Sequence, residues 1–114
     1  MSYKTLVVSV ENHIAHVQLN RPDAMNAMNV DFWQELPVAI RAIDAAATAR
    51  VIVLSSTGKH FSAGMDLTVF TSPNSIPMQG DPGRMAENLR RAVLQLQDAF
   101  NVLEEVRIPV LAAI

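Results

Sequence analysis

Hydrophobic and polar positions alternate along residues 3–10 and 14–19, which predicts two strands. Leu6, Val8 and Val10 interleave with Thr5, Val7 and Ser9, and Ile14, Val17 and Leu19 follow. Glu11, Asn12 and His13 between them supply turn chemistry, so a hairpin is the simplest joining. Pro22 lies in Asn20–Asp23 and ends the second strand, because proline donates no ladder hydrogen bond. The period then changes. Phe32, Leu36, Ala39, Ile40 and Ile43 recur at helical spacing, with Asn29 as the expected N-cap and Asp31 in the first turn. Pro37 interrupts this stripe, which predicts either a kink or a second helix starting there. Arg50–Leu54 is a short β-branched run without alternation, suited to a buried parallel strand.

Residues 71–83 carry three prolines and two glycines and predict a loop. A long amphipathic helix is expected from Arg84 to about Val106. Its stripe of Met85, Leu89, Ala92, Val93, Leu96, Ala99, Phe100 and Leu103 is expected to pack in the core. The apolar run 107–114 predicts a buried strand or its start. A chain ending inside such an element, with an uncovered sheet edge, leads us to expect a longer natural polypeptide.

Composition narrows the class. Half of the 114 residues are hydrophobic and 18% are charged, as in globular domains. The net charge of −2 advertises no nucleic-acid face. No apolar run approaches a membrane span, and the first residues lack the apolar core of a signal peptide. Cysteine is absent, which excludes disulfide and thiol chemistry and fits a cytoplasmic location.

The segment richest in chemistry is Gly58–Leu67, directly after the predicted parallel strand. Ligands in open α/β folds sit beyond the carboxyl ends of strands. Ser62, Ala63 and Gly64 are small enough for a ligand to approach the main chain, and Gly64 permits positive φ. Asp66 is suited to accept backbone N–H bonds and lock the turn. The Met65 N–H would then be free to meet a carbonyl oxygen and stabilise an oxyanion. A tight connecting turn is the plainer reading of the same residues.

Other candidates read as structural. His60 beside the loop reads as a surface residue, and His13 and His16 have no metal-ligand spacing, so no metal is expected. Glu104 and Glu105 point apart on a helix, Arg90 and Arg91 suit a solvated face, and Phe32 and Trp33 anchor the first helix.

Three segments together resemble the crotonase superfamily, the enoyl-CoA hydratase/isomerase enzymes. They are Leu19–Pro22 with Asn26–Asn29, Val51–Leu54 leading into Lys59–Leu67, and Arg107–Ile114. The resemblance implies an α/β fold, the crotonase-like ββα spiral, with residues 1–114 as the N-terminal part of a single domain. It implies an acyl-CoA thioester substrate and no separate cofactor, coenzyme A being part of the substrate. Homo-trimers or homo-hexamers are implied, and neither nucleic acid nor membrane as partner. The Met65 backbone N–H maps onto an oxyanion donor, and Ala63 onto a position meeting the adenine end of coenzyme A. Ala63, Gly64, Met65, Asp66 and Leu67 form the implied binding segment, with Ala24 and Met25 as a second coenzyme-contacting strip. The second oxyanion donor and the catalytic carboxylates of the family lie beyond residue 114, so this segment alone is expected to catalyse nothing.

Asn26–Asn29, Phe32–Leu36, Phe61–Leu67 and Leu96–Phe100 look like the dienoyl-CoA isomerase branch. There, carboxylates shift protons along a 3,5-dienoyl chain to give the 2,4-dienoyl product. The alternatives are a 2-enoyl-CoA hydratase and a non-catalytic crotonase-fold scaffold. Many hydratases carry a lysine soon after the motif's aspartate, where this chain has Thr68 and Val69.

Overall fold

A computed structural model describes residues 2–71 and 80–114. Strands β1 (Leu6–Glu11), β2 (Ile14–Leu19), β3 (Val51–Ser56) and β4 (Val110–Ala112) form one sheet in the order β1-β2-β3-β4. The β1–β2 pair is antiparallel, and β2–β3 and β3–β4 are parallel. Asn12 and His13 both take positive φ, which is how a two-residue turn matches the strand twist. The first strand begins at Leu6 rather than at residue 3. The Lys4 and Thr5 N–H groups donate instead to the Glu35 carboxylate, at 2.7 and 2.9 Å, and so leave the ladder.

Helix α1 (Val30–Ala46) covers one sheet face. Its start is capped as expected, the Asn29 side chain accepting from the Phe32 N–H. Phe32, Leu36, Ala39, Ile40 and Ile43 are buried against Leu6, Ala15, Val17, Leu19 and Ile52. Pro37 lies within one continuous helix, so no second helix starts there. The missing backbone donor is tolerated because Leu36, Pro37, Ala39 and Ile40 in this turn are buried.

Several expectations are corrected. Strand β3 is parallel to β2, but only Ile52 in it is fully buried, because α1 covers a single face of the sheet. Helix α2 (Pro82–Glu105) starts two residues earlier than expected, with the Asp81 side chain accepting from the Arg84 N–H. Only Ala99 and Val102 of α2 are fully buried, near its C-terminal end. Leu89, Val93 and Phe100, expected in the core, are exposed. The run 107–114 does supply a strand, β4, but Leu111 and Ile114 in that run are exposed. The loop expected over 71–83 falls mostly on residues 72–79, outside the described residues. Among the described residues no helix is long and apolar enough to cross a membrane. Nor do three or more of the described His, Asp and Glu residues gather as metal ligands would.

Candidate functional site

Strand β3 ends at Ser56, and the chain turns at Gly58, where φ is +78°. A Cβ on Gly58 would lie 2.9 Å from the Pro22 Cβ, so glycine is required for this close approach. The turn thereby abuts a second loop, residues 21–29, which comes after β2. That loop contains a short 3-10 turn (Pro22–Ala24), then Met25 and Asn26, both with left-handed φ.

Asn26 organises the meeting of the two loops. Its side chain is buried and accepts from the Arg21 N–H at 2.7 Å. Its amide donates to the Thr57 and His60 carbonyls at 2.7 and 2.9 Å. The Ser62 hydroxyl donates to the Asn26 carbonyl and accepts from the Gly64 N–H. Low-polarity surroundings make such a satisfied network stiff, since losing one partner strands another buried polar group.

The main chains then pair directly. The Met25 carbonyl accepts from the Ala63 N–H at 2.9 Å. The Met28 N–H donates to the Gly64 carbonyl at 2.8 Å, and the Asp66 N–H donates to the Met28 carbonyl at 3.0 Å. This is a parallel bridge between Met28 and Met65. In that pattern the flanking residues of one strand bond to the central residue of the other. Gly64 and Asp66 therefore face Met28, and the Met65 N–H is turned to the opposite side. Among the described residues it has no hydrogen-bond acceptor. Gly64 has a φ of +93°, as a glycine-dependent turn requires, and open space where a Cβ would stand.

Asp66 locks the next turn. Its carboxylate accepts from the Thr68 N–H at 2.9 Å and the Thr68 hydroxyl at 2.8 Å, capping the 3-10 turn Leu67–Phe70. Its other oxygen meets Arg21 Nη1 at 3.1 Å. These partners, Thr68 first and Arg21 after it, hold the Asp66 carboxyl below its usual 3.8, against the opposing effect of burial. An ionised, fully engaged carboxylate is a poor general base, which supports the turn-holding role.

The expected site residues thus come together. Ala63–Leu67 run alongside the strip that contains Ala24 and Met25, and Ala63, Met65, Leu67 and Met25 are exposed on the joined surface. His60 contributes only its carbonyl to this network. Arg90 and Arg91 pair with Glu87 on the α2 surface. Trp33 anchors α1 as expected, edge-on to Phe100 at 5.0 Å, and also donates through its indole N–H to the Met28 carbonyl at 3.1 Å. Reading the sequence missed Arg21, Asn26, Ser62 and Trp33 as builders of this junction. The available signal was polar residues clustered on either side of Pro22 and Gly64.

The model of the family described as enoyl-CoA hydratase/isomerase matches residues 9–114. The chain belongs to that family. Relatives of this family include a mitochondrial Delta(3,5)-Delta(2,4)-dienoyl-CoA isomerase of Pongo abelii. It is 41% identical over 99% of this chain and 35% of its own length. A peroxisomal protein of the same name from Arabidopsis thaliana is 39% identical over 99% of this chain and 42% of its length. A probable enoyl-CoA hydratase of Rhizobium meliloti is 42% identical over 59% of this chain. Among solved structures, an enoyl-CoA hydratase/isomerase from Marinobacter aquaeolei superposes with a TM-score of 0.81 at 25% identity. That match covers 96% of this chain and 40% of the other. The chain therefore spans about two fifths or less of the dienoyl-CoA isomerases it matches. Family membership accounts for the three matching segments and for the crotonase-like arrangement of sheet and helices. The two dienoyl-CoA isomerases are named as mitochondrial and peroxisomal, in contrast to the cytoplasmic location expected from composition.

Proposed function

We propose that the protein shifts double bonds in acyl-CoA thioesters, converting 3,5-dienoyl-CoA to 2,4-dienoyl-CoA, with the Met65 N–H as an oxyanion donor. The carrying observation is the Met28–Met65 bridge, which commits the neighbours of Met65 to the strip and leaves its own N–H facing outward. In this reaction a proton leaves C2 and one is added at C6. The electron pair released at C2 is held meanwhile as an enolate on the thioester oxygen. A preorganised donor at that oxygen lowers the barrier by about 3–4 kcal/mol. The donor is preorganised here because Gly64, Asp66 and Met28 fix the backbone before any substrate arrives.

The binding segment is Ala63–Leu67 with Ala24 and Met25. The Ala63 N–H is spent on the Met25 carbonyl, so its contact with the adenine is made by its own carbonyl, an acceptor suited to an exocyclic amino group. The proton-transferring carboxylates belong to the part of the family domain beyond residue 114. Assembly as homo-trimers or homo-hexamers, with no separate cofactor, completes the reading and is supported by the family resemblance alone.

Hydration of 2-enoyl-CoA is the alternative chemistry, supported by the Rhizobium relative's name. It fits less well. Where many hydratases offer a lysine to the coenzyme phosphates, the Thr68 hydroxyl is committed to Asp66 and Val69 is buried. The two are separated by incubating the intact protein with each thioester. Isomerisation brings a double bond into conjugation with the thioester and raises its ultraviolet absorbance; hydration of 2-enoyl-CoA removes that conjugation. A rise with 3,5-dienoyl-CoA is expected. Turnover of 2-enoyl-CoA alone would replace the proposal with the hydratase, and no turnover of either would favour a non-catalytic scaffold.

A further inference from the structure

The Arg21 side chain bonds residues that flank both halves of the Met28–Met65 bridge. Its Nη1 donates to the Ala27 carbonyl at 2.6 Å and to the Asp66 carboxylate at 3.1 Å. Ala27 precedes Met28, and Asp66 follows Met65. A single nitrogen thus spans the junction one residue from each half of the bridge.

The Arg21 backbone is itself pinned. Its N–H donates to the Asn26 side chain, and its carbonyl accepts from the Ala24 and Asn26 N–H groups. The Arg21 and Asp66 side chains are 25% and 16% exposed, so water screens this pair less than it would a surface ion pair. The other ion pairs among the described residues each have at least one side chain more than half exposed.

We infer that Arg21 is a positioning residue: it sets the direction of the Met65 N–H by clamping the 21–29 loop to Asp66. Its catalytic consequence rests on the proposed oxyanion role of Met65; the clamp itself does not. Arg21 touches no reacting atom in this scheme. Its loss should lower kcat with little change in the binding of coenzyme A, because an aimed donor matters most where charge develops. Lysine keeps the charge but lacks the rigid planar donor geometry of the guanidinium.

Two readouts on the intact protein test this. Amide hydrogen exchange of Asp66, whose N–H bonds the Met28 carbonyl, reports the bridge whether or not the protein is active. In Arg21→Ala, exchange at Asp66 should rise at least tenfold while exchange at Ile40 in α1 stays within twofold. In the same variant kcat for 3,5-dienoyl-CoA should fall at least tenfold, with affinity for free coenzyme A kept within about threefold. Arg21→Lys should fall between wild type and Arg21→Ala in both. Should Arg21→Ala unfold, Arg21→Lys carries the test alone, with a rise at Asp66 and a lower kcat expected. Unchanged exchange at Asp66 in a folded variant overturns the clamp. So does a rise of equal size at Asp66 and Ile40, which would mark a global effect. Faster exchange at Asp66 with wild-type kcat overturns the positioning role. If wild type fails to turn over 3,5-dienoyl-CoA while exchange responds as described, the clamp stands and the isomerase reading falls.

Discussion

The α1–sheet interface and the Met28–Met65 junction are held by opposite physics. The first is apolar: Leu36, Ile40, Val17 and Ile52 are almost wholly removed from water. The second is polar: Asn26, Ser62, Arg21 and Asp66 fix the main chain through named hydrogen bonds. Apolar burial is non-directional and gives stability without aiming any single group. Hydrogen bonds are directional, so a network of them can point one N–H outward. The difference predicts that damage to the first region lowers the amount of folded protein, and damage to the second lowers what each folded molecule does.

The largest effect should come from Leu36→Ala, which empties a fully buried site in the core. Unfolding free energy should drop by about 2–5 kcal/mol, measured by denaturant titration. Turnover per folded molecule should stay near wild type; a large loss there would blur the division. Gly64→Val attacks the other side. A β-branched residue resists a φ of +93°, so the turn should re-form with Met65 misdirected. The expected loss is about a hundredfold to a thousandfold in kcat, close to the value of one oxyanion donor. A Cβ at Gly64 meets nothing within 4 Å, so the added Cβ itself does not clash.

Asn26→Ala should act on both quantities. It strands the Arg21 N–H and the Thr57 and His60 carbonyls, at a cost of about 1–3 kcal/mol in stability, and should lower kcat as well. The smallest effect is a pH dependence. The Asp66 carboxyl titrates lower in the folded chain than its ordinary 3.8 because Thr68 and Arg21 favour its ionised form. Its contribution to stability is therefore complete above the ordinary carboxylate range and is lost as pH falls through the lower folded value. Asp66→Asn should flatten that part of the acid limb in thermal melts across pH; an unchanged limb would show that the carboxylate contributes nothing there.

The same division explains what could be read from the chain. Helix α1 was legible because Asn29, Asp31 and the 3–4 spacing of Phe32 to Ile43 all agree. The stripe on α2 has the same spacing but carries no information about coverage. Leu89 and Val93 repeat as core residues do and still lie exposed. The loop 60–67 was legible through its glycine, its aspartate and the family resemblance. The strip it pairs with was not legible as a partner, because bonds between residues 34 or more apart leave no local period. Asn26 looks like an ordinary turn residue until the His60 and Thr57 carbonyls are placed against it.

The most direct test tracks the Met65 amide in proton–nitrogen spectra of the intact protein during titration with an acyl-CoA thioester, with free coenzyme A as the control. The account predicts a downfield shift of the Met65 amide proton with the thioester and none of comparable size with coenzyme A, which lacks the carbonyl. A Met65 resonance indifferent to a thioester that binds would contradict it.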